Sequence, residues 1–141
     1  IFGRIFSGKL GDILGALPTY ILMSIGQTVS VVWFPYFQSS LSLYILAAVF
    51  GFTYSGVMSA ILVCARMMVS PNFAGRAMSF GSFFGWIGMG LGGLMGGYFY
   101  DLRNDYIWSY QFASAMGVIN VIILLLLWLR IKTQTTRKKI T

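Results

Sequence analysis

The sequence predicts an all-α transmembrane protein with four spanning helices, and three observations carry that expectation. Of its 141 residues 57% are hydrophobic and only 9% are charged, too little polar surface to keep a domain of this size in water. The apolar residues gather into four stretches, 17–37, 43–65, 78–100 and 107–129, each without a charged residue. Crossing about 30 Å of hydrocarbon takes about 20 such residues, so each stretch is long enough. Finally, nine of the ten Lys and Arg fall on one side of the membrane if the four stretches alternate in direction.

Taken in order, residues 1–16 read as the end of a preceding helix followed by a polar loop, and an opening of that kind predicts a piece of a longer chain. Pro18 suits the first turn of the first span, where a missing N–H costs nothing, and Pro35 marks its end. Gln38 to Ser42, Ser70 to Gly75 and Asp101 to Asp105 supply the turns between spans. Residues 130–141 form a basic tail. Arg4, Lys9, Arg66, Arg76 and that tail share a side, which positive-inside bias makes cytoplasmic, whereas Arg103 falls opposite. Tyr106, Trp108 and Tyr110 suit the outer interface and Trp128 the inner one.

The spans differ in character. The third carries Gly81, Gly85, Gly88, Gly92 and Gly96 at spacings of four and three, a stripe that lets helix backbones pack closely. Gly51, Ser55 and Ser59 repeat the pattern on the second span, while the fourth ends in a bulky aliphatic run from Val121 to Leu129. The second and third spans are therefore expected inside the protein and the fourth against lipid.

The charge of +7 is spread between apolar runs, with one cluster at the end, which is a topology pattern and not a nucleic-acid footprint. The acidic residues number three, all Asp, with no His and one Cys, so the chain offers no acid/base pair, no Cys/His nucleophile and no metal ligand set. No catalytic residue and no cofactor is expected. Cys64 lies in an apolar run and reads as a small buried residue. A compact four-helix exporter of cations would carry a carboxylate in its first span, and none is there.

The segment Gly3-Arg4-Ile5-Phe6-Ser7-Gly8-Lys9-Leu10-Gly11-Asp12-Ile13-Leu14-Gly15 resembles the loop motif G-x-x-x-D-x-x-G-R-[KR] of the major facilitator superfamily, in the copy that joins the eighth and ninth of twelve helices. Gly8, Asp12 and Gly15 match; Ile13, Ala16 and Leu17 replace basic positions of the fuller motif, which weakens any charge lock. The stretch from Leu43 to Met78, with Phe50-Gly51-Phe52 and Ser70-Pro71-Asn72-Phe73-Ala74-Gly75-Arg76-Ala77, is similar to the tenth helix and following loop of monocarboxylate transporters and oxalate/formate exchangers. Gly96-Gly97-Tyr98-Phe99-Tyr100-Asp101, with Tyr106 and Trp108 beyond, looks like the end of their eleventh helix.

The resemblance implies helices nine to twelve of a twelve-helix bundle that moves a small organic anion by alternating access, in a plasma or inner membrane with both ends of the segment cytoplasmic. Its partners would be the solute, the lipid bilayer, the N-terminal helices of the same protein and a coupling proton or counter-anion. It also implies that Arg4 faces the cavity and pairs with a substrate carboxylate, a role that suits a bidentate guanidinium. The other reading of Arg4 is a topology anchor that snorkels to the headgroups. Tyr54, Thr53 and Ser59 are candidate cavity residues, although a hydroxyl in a span also satisfies itself on backbone. Gly8, Asp12 and Gly15 form the conformational motif. Two rivals stay open: a four-span scaffold or partner-binding subunit, and a transporter of the same fold for a neutral or cationic solute.

The topology is directly testable. An impermeant thiol reagent added to intact cells should label cysteines placed at Ser40 and Asn104 and spare those placed at Asn72 and Gln134. The reverse pattern would overturn the orientation.

Overall fold

The computed structural model describes residues 2–138, with side chains described as far as Gln134. Lys139 to Thr141 of the expected basic tail, and the side chains of Arg137 and Lys138, lie outside the described residues. Five α-helices follow one another: α1 (Phe2–Leu14), α2 (Ala16–Trp33), α3 (Ser40–Met67), α4 (Ala74–Arg103) and α5 (Ile107–Lys138). Short 3-10 turns at Phe34–Tyr36 and Pro71–Phe73 complete the described elements.

Each break has a local cause. The segment expected as a loop is itself helical, because nothing in Ser7 to Leu14 interrupts hydrogen bonding until Gly15. Gly15 adopts φ 92° and ψ 158°, a region essentially reserved for glycine, and this single residue turns α1 into α2. Pro18 then sits in the first turn of α2 as expected, and Pro35 lies in the 3-10 turn that ends it. Ser70 is extended (φ −63°, ψ 150°), as the residue before a proline should be, and so closes the α3 connection. Asn104 caps α4 in the left-handed conformation, its N–H donating to Tyr100 O at 2.7 Å, and Asp105 Oδ1 accepts from the Ile107 N–H at 2.9 Å to start α5.

Three helical segments are long and apolar enough to cross a membrane: Ala16–Tyr36, Ser40–Met67 and Ile107–Gln134. At 30 residues α4 has the length as well, but its glycines dilute its hydropathy.

Burial within the chain is concentrated on α2. Here α2 is the hub, packed against α1, α3 and α5, with Thr19, Tyr20, Ile21, Met23, Ser24 and Ser30 buried. By contrast α4, expected inside, buries no residue. The reason lies in which small residues meet. A Cβ added to Gly26 would come within 2.8 Å of Thr53 Cγ2, and one added to Gly117 within 2.6 Å of Thr28 Oγ1. A Cβ on Gly56 would meet Met23 Sδ at 2.8 Å, and Gly3 lies directly beneath Ser55 and the Phe52 carbonyl. At Gly81, Gly85, Gly88, Gly92 and Gly96 an added Cβ would meet nothing within 4 Å. The close crossings are thus made by four other glycines, and the stripe on α4 leaves room for side chains at every position.

Helix α5 turns one face, Gly117, Asn120, Leu124 and Trp128, toward α2, and leaves Ile122, Ile123, Leu126 and Leu129 exposed, as a helix against lipid should. Buried hydroxyls satisfy themselves on the preceding turn of their own helix: Thr19 on Gly15 O (2.9 Å), Ser30 on Gly26 O (2.8 Å) and Thr53 on Val49 O (3.0 Å). Cys64 is buried in the small core with Tyr20, Ile21, Ala60 and Leu124.

If the α2–α5 crossing depends on Gly117, then Gly117→Leu should destabilise the purified full-length protein by about 1–3 kcal/mol, the usual cost of overpacking. Leu126→Val, on the open face of α5, should melt with the parent. Equal melting temperatures for Gly117→Leu and the parent would show that the helices do not approach closely there.

Candidate functional site

The two long faces of α3 do different things. Thr53, Gly56, Ala60 and Cys64 recur at helical spacing and are the buried residues of α3. The neighbouring face, with Tyr54, Val57, Met58, Ile61 and Leu62, lines a cavity of about 470 Å³. Arg4 from α1 and Gly81, Ser82, Gly85, Trp86 and Met89 from α4 complete its wall.

The position of Arg4 follows from its neighbours. Gly3 and Ser7 are buried, with Gly3 fitted under Ser55 and Ser7 beside Gly56, and this clamps α1 onto α3. Phe6 and Phe52 add a ring contact at 5.4 Å. Residue 4 is thereby turned to the edge of the seam, where its guanidinium is exposed and is the one charged group lining the cavity. Tyr54 is held from two sides: its ring stacks on Phe50 at 5.8 Å, and its hydroxyl donates to Met89 Sδ at 3.6 Å, a contact that ties α3 to α4. Ser59 lines the cavity but already donates to Ser55 O at 3.0 Å.

Three of the four expected substrate-binding residues, Arg4, Tyr54 and Ser59, are therefore brought together. Thr53 is not among them. It points into the α2 seam against Gly26, and its hydroxyl is shared between Val49 O and Phe50 O, both at 3.0 Å. Adjacent residues on a helix lie about 100° apart, so Thr53 and Tyr54 face different neighbours.

A second groove of about 250 Å³ runs along α1, α2 and α3. Gly8, Asp12 and Gly15 all line it, with Gly11, Thr19 and Ser59. Ser59 borders both spaces. Asp12 follows Arg4 by two helical turns, about 12 Å along α1. A third and larger space of about 780 Å³ opens between α4 and α5, and no charged residue lines it. The five stripe glycines are split between these spaces, Gly81 and Gly85 on the Arg4 cavity and Gly88, Gly92 and Gly96 on the α4–α5 cleft.

The family model of the Major Facilitator Superfamily matches residues 1–141. The chain belongs to that superfamily. Its members are membrane transporters and not enzymes, so this is an integral membrane protein of a family that carries solutes across the bilayer. No curated protein and no solved structure matches the chain.

Small-molecule sites are commonly concave and mostly apolar with few polar groups that fix orientation, and the cavity with Arg4 on its wall has that make. Sequence reasoning missed Ser82, Trp86 and Met89. Their spacing of four and three sets them on one face beside Gly81 and Gly85, and reading that face as packing alone hid them. Among the described residues no group of three or more His, Cys, Asp or Glu is placed to hold a metal ion.

Proposed function

We propose that the chain forms the C-terminal four spans of a twelve-helix transporter, with α2 to α5 as helices nine to twelve and α1 as the end of helix eight. Its cargo is a small organic anion, of the kind moved by monocarboxylate transporters and oxalate/formate exchangers, carried by alternating access and coupled to a proton or a counter-anion. On this reading α4 crosses the membrane as the third of the four spans, its open glycine face turned to the N-terminal helices. Both ends of the segment are cytoplasmic, in a plasma or inner membrane.

The observation that carries the anion assignment is the isolation of Arg4. It brings the one formal charge to the cavity wall, and among the described residues its guanidinium has no acidic partner. An unpaired guanidinium on an apolar wall favours an anion for two reasons: its charge is fixed, and its planar fork matches a carboxylate. Gly8, Asp12 and Gly15 serve the conformational change. Gly15 supports that role, because its backbone conformation costs any other residue about 1–3 kcal/mol and so fixes the angle at which α1 enters α2.

Uptake of labelled lactate, pyruvate, oxalate and formate by the full-length transporter tests the proposal. Arg4→Ala should abolish uptake while the protein remains inserted in normal amount, and Arg4→Lys should impair it despite keeping the charge. Wild-type transport by Arg4→Lys would leave Arg4 as a topology anchor, which Lys replaces freely; uptake of none of the four acids by the parent would return the cargo to the neutral and cationic alternatives.

A further inference from the structure

We infer that the Arg4 cavity selects carboxylates with a flat, largely apolar body, and that Trp86 is the residue that recognises that body. The inference rests on the organic-anion reading above and narrows it.

The first support is size. At about 470 Å³ the cavity lies within the range of about 300–1,000 Å³ that encloses drug-sized ligands, and a formate or lactate would leave most of it unfilled. The second is the lining. Apart from Arg4 the wall is glycine, aliphatic, thioether and aromatic, with Tyr54, Ser59 and Ser82 as its hydroxyl-bearing residues. A carboxylate alone satisfies the guanidinium and nothing else there; an apolar body attached to it gains the rest of the surface.

The third support separates the two aromatic residues. Tyr54 is committed, with its ring against Phe50 and its hydroxyl on Met89. Trp86 is not: its side chain is 73% exposed, and among the described residues its indole has neither a ring contact nor a hydrogen bond. The Ser82 hydroxyl one turn earlier is equally unengaged. Gly81 and Gly85 border the same space and add no side-chain bulk to it. A large free ring in a cavity whose other ring is already fixed offers a stacking surface to a guest, and a flat guest uses it best.

The test compares kcat/KM for phenylacetate and lactate, using the full-length transporter in proteoliposomes. The parent should favour phenylacetate by about tenfold or more, a margin that apolar pockets of this kind reach. Trp86→Ala should lower kcat/KM for phenylacetate about tenfold more than for lactate. Trp86→Phe, which keeps a flat ring, should retain most of the preference, and Trp86→Leu, which keeps bulk without the ring, should lose it. Arg4→Ala should abolish uptake of both acids and so reports on the anion reading separately. Equal handling of the two acids by the parent, or a Trp86→Ala or Trp86→Leu effect that is the same for both, would overturn the role of Trp86 and leave the anion assignment standing. Transport of neither acid would remove both.

Discussion

In hydrocarbon a helix gains nothing by hiding leucine against another helix, since lipid tails are as apolar as the side chain. What holds these helices is close approach, and the structure concentrates it on α2. Gly26 receives Thr53 from α3, Gly56 receives Met23 from α2, and Gly117 of α5 lies against Thr28. The polar contribution between helices is small by comparison. Asn120 Nδ2 donates to Ser24 Oγ at 3.3 Å, a kind of bond that averages about 0.6 kcal/mol inside a membrane protein. The buried hydroxyls of Thr19, Ser30 and Thr53 instead donate to backbone carbonyls one turn earlier, which keeps polar atoms satisfied without holding neighbours together.

The same constraint explains why the cavity exists. Once α1, α2, α3 and α5 are joined at small residues, α4 has no comparable crossing left. It meets α3 through the Tyr54–Met89 contact and α5 through the Ser109 hydroxyl on Gly96 O at 3.1 Å, with open space on both sides. Its glycine stripe is therefore a cavity surface within this chain. The seam that clamps Gly3 and Ser7 onto α3 turns Arg4 toward that space, so the packing of α1 decides where the one unpaired charge goes.

Hydropathy was enough to place α2, α3 and α5, and proline and glycine chemistry marked most of the breaks between helices. The superfamily was legible in Gly8, Asp12 and Gly15 before any coordinates, and the family match agrees with it. Less was legible about which side of each helix meets which neighbour. Small residues signal close approach equally well to a helix of the same chain, to a helix beyond it or to an empty cavity, and the stripe from Gly81 to Gly96 was read only as close packing inside the protein, with no sign of which neighbour it meets; within this chain it borders open space. Gly26 and Gly117 form no stripe, so their crossings leave no pattern to find. Thr53 and Tyr54 looked equivalent as neighbouring hydroxyls; the recurrence of Thr53, Gly56, Ala60 and Cys64 at helical spacing was the available sign that they part company.

The central claim is that the space between α1, α3 and α4 is a watered solute path and not a lipid-filled gap. Nitroxide labels at positions 81 and 85 of the full-length transporter in bilayers would test it through collision rates with a water-soluble nickel complex and with oxygen, which partitions into lipid. Labels at Ile123 and Leu126, on the open face of α5, give the lipid reference. The account predicts that positions 81 and 85 collide preferentially with the nickel complex, and that a saturating transported anion lowers that rate. Collision behaviour at 81 and 85 matching that at 123 and 126 would place this face of α4 against lipid and contradict the account.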